Sequence, residues 1–342
     1  MPRILISDPT LRDGNHAVQH KLSLSQIAAY AAAADAALVP IVEVGHGNGL
    51  AASSLQIGEA PATDREMLTV ARENLKRSKL CIHVMPGFAT IPRDLKPAID
   101  IGVDVVRVAS HCSEADITQR HIAYVRERGK QVFGVLMMTH MLTKERLTEE
   151  ALKMESYGAE AIILMDSAGA FLPGDVAERV TALVAALGIP VGFHAHNNLG
   201  MAIANSITAL QSGATIVDGT ARGFGAGAGN AQLEVLVAVM HKLGYETGID
   251  LYKILDAADL AEREIMPSVP TISSVSIVSG LAGVFSGFVK HVNRVSSQFN
   301  VDPRDVFFEL GRRRIVAGQE DLIIEVANAL ASGAALPAGE VH

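Results

Sequence analysis

The stretch Ala161-Ile162-Ile163-Leu164-Met165-Asp166-Ser167 is an unbroken apolar run that stops at a carboxylate and a hydroxyl. It is short for a helix and lacks the alternation of a half-exposed strand. It therefore reads as a strand buried on both faces, as in a parallel sheet covered by helices. Similar Val- and Ile-rich runs lie to either side: Ile4 to Ser7, Ile41 to Val44, Leu80 to Val84, Val103 to Val108 and Gln131 to Met137 before it, Pro190 to Phe193 and Thr215 to Val217 after it. Each is followed by polar residues and then a helical pattern, at a spacing of roughly 25 to 40 residues. Eight strands alternating with helices predict an α/β chain folded as a (β/α)8 TIM barrel.

The residues that follow the runs are the second signal. They are Asp8, Glu43 with His46, His83, Arg107 with His111, His140, Asp166 with Ser167, His194 with His196, and Asp218 with Arg222. Any one of them reads equally as a helix cap or a loop residue, but polar groups ringed at strand C-terminal ends are what a barrel active site requires. Alternation stops near Gly244, so the barrel is expected over residues 1–243 and a helical domain over 244–331. In that domain Asp250 to Ile265, Ile277 to Phe299, Pro303 to Arg313 and Gln319 to Leu330 read as helical, with Asp302-Pro303 as an N-cap and first turn. Residues 332–342 are small and polar enough to fray.

Composition excludes several classes of function. The 342 residues are 49% hydrophobic and 19% charged, enough apolar surface for a large core, and the net charge of −8 disfavours a nucleic-acid surface. Arg312-Arg313-Arg314 is a basic triplet, read as a solvated helix face or a partner contact. The chain enters a strand-like run at once and has no apolar stretch long enough to span a bilayer, which predicts a cytoplasmic protein. Cys81 and Cys112 have no metal-motif or disulfide spacing and read as buried small hydrophobes.

The chemistry centres on two segments, Asp8-Pro9-Thr10-Leu11-Arg12-Asp13-Gly14-Asn15-His16 and His194-Ala195-His196-Asn197-Asn198. In an extended strand His194 and His196 share a face and present two imidazoles to one point; the alternative is a pair of satisfied core histidines. Asp13 supplies the oxygen ligand if the barrel brings strands one and seven near each other. One carboxylate with two neutral imidazoles leaves coordination positions open and suits Mn²⁺, or Mg²⁺ more weakly. Such an ion chelates a 2-oxo acid and stabilises a developing enolate. Arg12 reads either as a donor to that enolate oxygen or as a structural ion pair, and His16 either as a group that moves a hydroxyl proton or as a surface histidine. Gly223-Phe224-Gly225-Ala226-Gly227-Ala228 formally fits a dinucleotide fingerprint, but it follows the last barrel strand rather than the first strand of a Rossmann unit. It reads instead as a turning wall at the barrel mouth, with Asn230 as an additional neighbour of the metal site.

Six longer stretches carry a resemblance: Thr10 to Ala17 (TLRDGNHA), Val106 to Asp116 (VRVASHCSEAD), Asp166 to Ala170 (DSAGA), Gly192 to Ser206, Gly223 to Leu236, and Val301 to Asp321. Together they resemble the 4-hydroxy-2-oxovalerate aldolases, part of the metal-dependent group that shares its barrel with 3-hydroxy-3-methylglutaryl-CoA lyase and isopropylmalate synthase. The resemblance implies cleavage of a 4-hydroxy-2-oxo acid to pyruvate and an aldehyde, usually with Mn²⁺. It further implies Asp13, His194 and His196 as metal ligands, Arg12 as stabiliser of the pyruvate enolate, His16 as catalytic base, and Ser167 at the substrate carboxylate. The helical tail is implied to dock an acylating aldehyde dehydrogenase that receives the aldehyde through a channel.

Two departures fall at the substrate pocket. Relatives typically read GYAGVYSSF where this chain has Gly280 to Phe288 (GLAGVFSGF), so Phe285 replaces a tyrosine hydroxyl that would help orient the 4-hydroxyl. A leucine-rich LLLPG reads His83-Val84-Met85-Pro86-Gly87, which puts an imidazole and Met85 where the pocket contacts the aldehyde's alkyl end. Two other functions compete with aldol cleavage. Claisen-type chemistry on an acyl-CoA would release CoA from acetyl-CoA and a 2-oxo acid, and a scaffolding subunit would be inactive with every oxo acid.

Overall fold

The computed structural model describes residues 3–333. Among them eight parallel strands close into a barrel in sequence order: β1 (Leu5–Leu11), β2 (Ile41–Val44), β3 (Lys79–Val84), β4 (Val105–His111), β5 (Gln131–Met137), β6 (Ala161–Asp166), β7 (Val191–Ala195) and β8 (Ile216–Asp218). Strand alternation divides the apolar residues into two cores. Ile41, Cys81, Val105, Phe133, Ala161, Ile163 and Ile216 fill the barrel interior, while Ile6, Val42, Ile82, Val106, Ile162 and Phe193 face the surrounding helices. Both cysteines are buried and unpaired. Among the described residues no helix is long and apolar enough to cross a membrane.

β1 and β4 run further than the apolar pattern predicts. Asp8 lies inside β1 because its carboxylate is satisfied within the protein: Tyr30 donates to it at 2.7 Å and the Thr10 backbone N–H at 2.9 Å. Burial still pushes its pKa up to about 6, against these hydrogen bonds. At Pro9, which has no N–H to give the ladder, the register of β1 against β2 shifts between Asp8 and Leu11. Arg12 and Asp13 then close a turn, both backbone N–H groups donating to Pro9 O at 3.0 and 2.8 Å.

The helix Leu251–Glu264, which the sequence groups with the tail, packs in the barrel core through Ile254, Ala257, Ala258 and Ala261. A separate apolar cluster from Val284 to Ala327 holds the helices Ser274–Leu281, Val289–Phe299, Pro303–Arg312 and Asp321–Ser332. The expected helix from Ile277 to Phe299 is broken after Leu281. Gly283 turns through φ 64° and its carbonyl accepts from His140 Nε2 at 2.9 Å, tying the helical unit to the loop after β5. Arg312 and Arg314 of the arginine triplet are exposed, as a solvated face requires, and all three also find partners within the chain: Arg312 and Arg313 pair with Glu309, and Arg314 donates to Met141 O at 2.9 Å. Of the tail expected to fray, Ser332 ends the last helix and Gly333 caps it in the left-handed conformation; residues 334–342 lie outside the described residues.

Candidate active site

β7 and β1 both flank β8, so the ends of strands one and seven meet across one neighbour. Asp13 Oδ2 lies 3.1 Å from His194 Nε2 and 3.7 Å from His196 Nε2, and one donor atom from each of the three falls within 4.8 Å of the others. All three are buried. Asn230 donates to Asp13 Oδ2 at 3.1 Å and Ala226 N–H to its Oδ1 at 3.2 Å. The glycine run thus forms the wall predicted for it, turning at Gly223, Gly227 and Gly229, where φ is 72°, 64° and 86°.

Four side chains lie behind this triad and, with Asp13 and His194, close an electrostatic ring. Arg12 pairs with Glu43 and, at 3.3 Å, with Asp13. Glu43 pairs with Arg107 at 3.1 Å, Arg107 with Asp218 at 2.7 Å, and Asp218 Oδ2 sits 2.8 Å from His194 Nδ1. With His194 neutral, two guanidiniums face the three carboxylates of Asp13, Glu43 and Asp218, leaving one negative charge in a desolvated site. Burial by itself would raise the Asp13 pKa, but Arg12, His196 and His194 hold it well below the usual carboxylate range. Burial likewise opposes ionisation of Glu43, and Arg12 and Arg107 outweigh it.

The donor chemistry fits a divalent cation. Burial pushes His196 down to about 4 despite Asp13, leaving a neutral imidazole with a lone pair to give. His194 shifts the other way: burial disfavours its charge, but the flanking carboxylates of Asp13 and Asp218 raise its pKa. A site that attracts a proton between two carboxylates attracts a cation there more strongly. Among the described residues His194 Nε2 makes no hydrogen bond, and with Nδ1–H donated to Asp218 it presents a lone pair toward Asp13. Asp13, His194 and His196 can therefore hold a divalent metal.

A cavity of about 300 Å³ opens on this arrangement and is lined by Arg12, Asp13, His16, His83, Met85, His196 and Phe285. His194 and Asn230 stand behind its surface. Arg12 Nη2 is buried without a partner among the described residues, a free donor at the cavity edge. His16 is half-buried and makes no side-chain hydrogen bond among the described residues; burial pushes its pKa down to about 3, with Asp13 opposing. Phe285 meets the His16 ring edge-on at 6.4 Å. His83 is neutral at pH 7, pushed to about 3 by burial and Arg12, and its Nδ1 has no partner.

Ser167 departs from expectation. It is fully buried, does not line the cavity, and its Oγ accepts the N–H of Met138, a residue held at φ 56°. Its observed task is to fix strained backbone in the cavity wall, because β6 ends one residue earlier and turns the hydroxyl under the β5 loop. Glu43, Arg107 and Asp218 were visible in sequence as strand-end groups, but their pairing follows only from the barrel register.

Residues 3–261 match the HMGL-like family model, and residues 270–332 match the DmpG-like communication domain. The chain is 66% identical to a 4-hydroxy-2-oxovalerate aldolase of Spirochaeta aurantia over 97% of both chains. It is 64% identical to one of Pectobacterium atrosepticum over 96% of both. The carboxyl transferase domain of Rhizobium etli pyruvate carboxylase, solved with pyruvate and biocytin, superposes with a TM-score of 0.83 at 18% identity, covering 99% of this chain and 63% of that one. That likeness shows the fold alone. Barrel, communication domain and near full-length identity agree, and the chain belongs to the HMGL-like family, among its 4-hydroxy-2-oxovalerate aldolases.

Proposed function

We propose that this chain cleaves 4-hydroxy-2-oxovalerate or a related 4-hydroxy-2-oxo acid to pyruvate and an aldehyde, with Mn²⁺ at Asp13, His194 and His196. The observation that carries this reading is the convergence of that triad, the free Arg12 donor and the unbonded His16 ring on one cavity. When bound, the ion supplies a Lewis acid for the oxygens of the 2-oxo acid and offsets the negative charge of the ring.

The protein groups divide the remaining work. His16, neutral with a free lone pair, takes the proton of the substrate 4-hydroxyl. The C3–C4 bond breaks as the aldehyde carbonyl forms, and its electron pair passes into the enolate of pyruvate. Arg12 donates to the enolate oxygen from a position held by Glu43 and Asp13, so no reorientation is needed as charge develops. The proton removed from the hydroxyl balances the one that carbon 3 gains. Burial weakens His16 as a base, so the proton transfer is coupled to stabilisation of the enolate by Arg12. Phe285 brings a ring edge but no hydroxyl, leaving His16 to orient the 4-hydroxyl.

The cavity lining includes Met85, Met137, Met138 and Met165, adaptable side chains, together with the polar His83. A substrate with a longer aldehyde portion bearing a hydrogen-bonding group satisfies His83, and we expect its kcat/KM to exceed that of the five-carbon substrate by about tenfold or more. Pyruvate release from Mn²⁺-loaded protein, measured across oxo acids of varied length and polarity, checks this. Absence of pyruvate from every substrate would sink the aldolase reading, and release of CoA from acetyl-CoA would replace it with Claisen chemistry.

Asp218 holds the proton-bearing side of His194, so Asp218→Asn is expected to weaken Mn²⁺ binding about 10–100-fold. Calorimetric titration of the apo protein gives the number. The helical unit exposes Ile277, Leu281 and Phe308 and carries the communication-domain match, which supports docking of an acylating aldehyde dehydrogenase that takes up the aldehyde.

A further inference from the structure

A base that must meet one hydroxyl proton needs a fixed ring, yet among the described residues no hydrogen bond orients the His16 imidazole. Two rings touch it instead, Phe285 at 6.4 Å and, closer, a second imidazole. The His20 ring meets His16 edge-to-face with centroids 5.1 Å apart and planes at 71°, and on its other side stacks on His46 at 3.6 Å and 16°. The stack is anchored at both rings. His20 Nδ1 accepts the Gly47 N–H at 3.2 Å, His46 Nδ1 accepts the Asn48 N–H at 3.1 Å, and His46 Nε2 donates to Gly58 O at 3.0 Å. Those bonds fix both rings as the Nε2–H tautomer, and burial keeps them neutral, at about 2 for His20 and about 4 for His46.

The surrounding backbone is built around this contact. Gln19 and His20 take φ of 54° and 63°, two successive left-handed residues neither of which is glycine. The Gly47 position is closed against both rings: an added Cβ would lie 2.6 Å from His20 Cε1 and 2.8 Å from His16 Cδ2 and Nε2. The same loop is clamped from the first segment by Asn15, which donates to Gly45 O at 2.7 Å, and by Arg12, which donates to Gly47 O at 3.4 Å. Stacked rings with both Nδ1 atoms occupied have no N–H···N path between them, so the array does not conduct protons. It serves as a wall.

We propose that His20, backed by His46, is a positioning residue that sets the orientation of the His16 ring for removal of the substrate hydroxyl proton. The proposal rests on the reading of His16 as that base. A residue that merely stabilises the fold affects every reaction of the site alike, whereas one that orients His16 affects only the step His16 performs. Decarboxylation of oxaloacetate separates the two: it passes through the same pyruvate enolate and needs the same triad and Arg12, but offers no hydroxyl proton to remove.

The test uses His20→Asn in the full-length, Mn²⁺-loaded enzyme. Asparagine tolerates the left-handed conformation and offers an amide oxygen in place of Nδ1 for the Gly47 N–H, but no ring edge. The expected result is about a 10²-fold loss of kcat for aldol cleavage with KM and oxaloacetate decarboxylation unchanged. Equal losses in both reactions, or cleavage at the wild-type rate, would overturn the proposal. His16→Ala is measured alongside. If it is inactive in cleavage while His20→Asn is active, only the role of His20 is refuted; if it cleaves normally, the base assignment falls and the proposal with it.

Discussion

His16→Ala is expected to lower pyruvate release from a 4-hydroxy-2-oxo acid by about 10²–10⁴-fold while leaving Mn²⁺ affinity unchanged. The two readouts separate because His16 lines the cavity but supplies no donor atom to the triad of Asp13, His194 and His196. The pH profile of the wild-type enzyme carries a second signature. Burial depresses the His16 pKa to about 3, so the neutral, active form persists as pH falls and is lost only near that value. Between pH 5 and pH 8 titration of His16 therefore contributes no acid limb to kcat/KM. A limb with its midpoint near the ordinary histidine value of about 6.5 would show that His16 is solvated in the working enzyme or is not the base.

Arg107→Met is expected to destabilise the apo protein by about 3–5 kcal/mol, because it removes one partner from the buried ring and leaves Glu43 and Asp218 facing each other without their shared cation. The guanidinium is almost wholly buried, and although burial disfavours its charge, Asp218 and Glu43 together raise its pKa. At about 2.1 cal/mol/K of unfolding entropy per residue, a chain of this length loses roughly 4–7 °C in Tm. Thermal unfolding followed by circular dichroism measures the shift. Mn²⁺ is expected to recover part of it, since a cation at the triad compensates the uncovered carboxylates. A variant as stable as wild type would show that the ring is not held together by its central arginine.

The barrel was legible in sequence because parallel strands buried on both faces leave a signature that neither a helix nor an exposed strand shares. Pattern reading failed where a polar residue is buried and satisfied inside the fold. Asp8 ends the apolar run on paper, but Tyr30 from the following helix completes its hydrogen bonds and β1 continues to Leu11. A similar blindness affects the helical unit, where a bond from His140, more than a hundred residues away in sequence, fixes the break at Gly283. Within the site, Arg12, Asp13, His16, His194 and His196 were readable because each sits beside a strand end in a distinctive motif. Asp218 and Arg107 were seen without a role, since which strand-end side chains touch depends on the stagger of neighbouring strands. Ser167 shows the converse: position at a strand end placed it near the cavity, but one residue of offset pointed its hydroxyl at Met138 instead.

The cavity has one more boundary, and it belongs to the other unit. Beyond His111 and Glu114 of the barrel, its outer wall is made by Val316, Ala317, Gly318 and Glu320 from the loop between the last two helices. The chain consequently has no severable catalytic half. A version ending at residue 266 would not be the same aldolase minus an attachment arm but a vessel with one side removed, its enolate open to bulk water and its aldehyde free to leave in any direction. Comparisons of full and shortened chains would then measure containment before they measured communication.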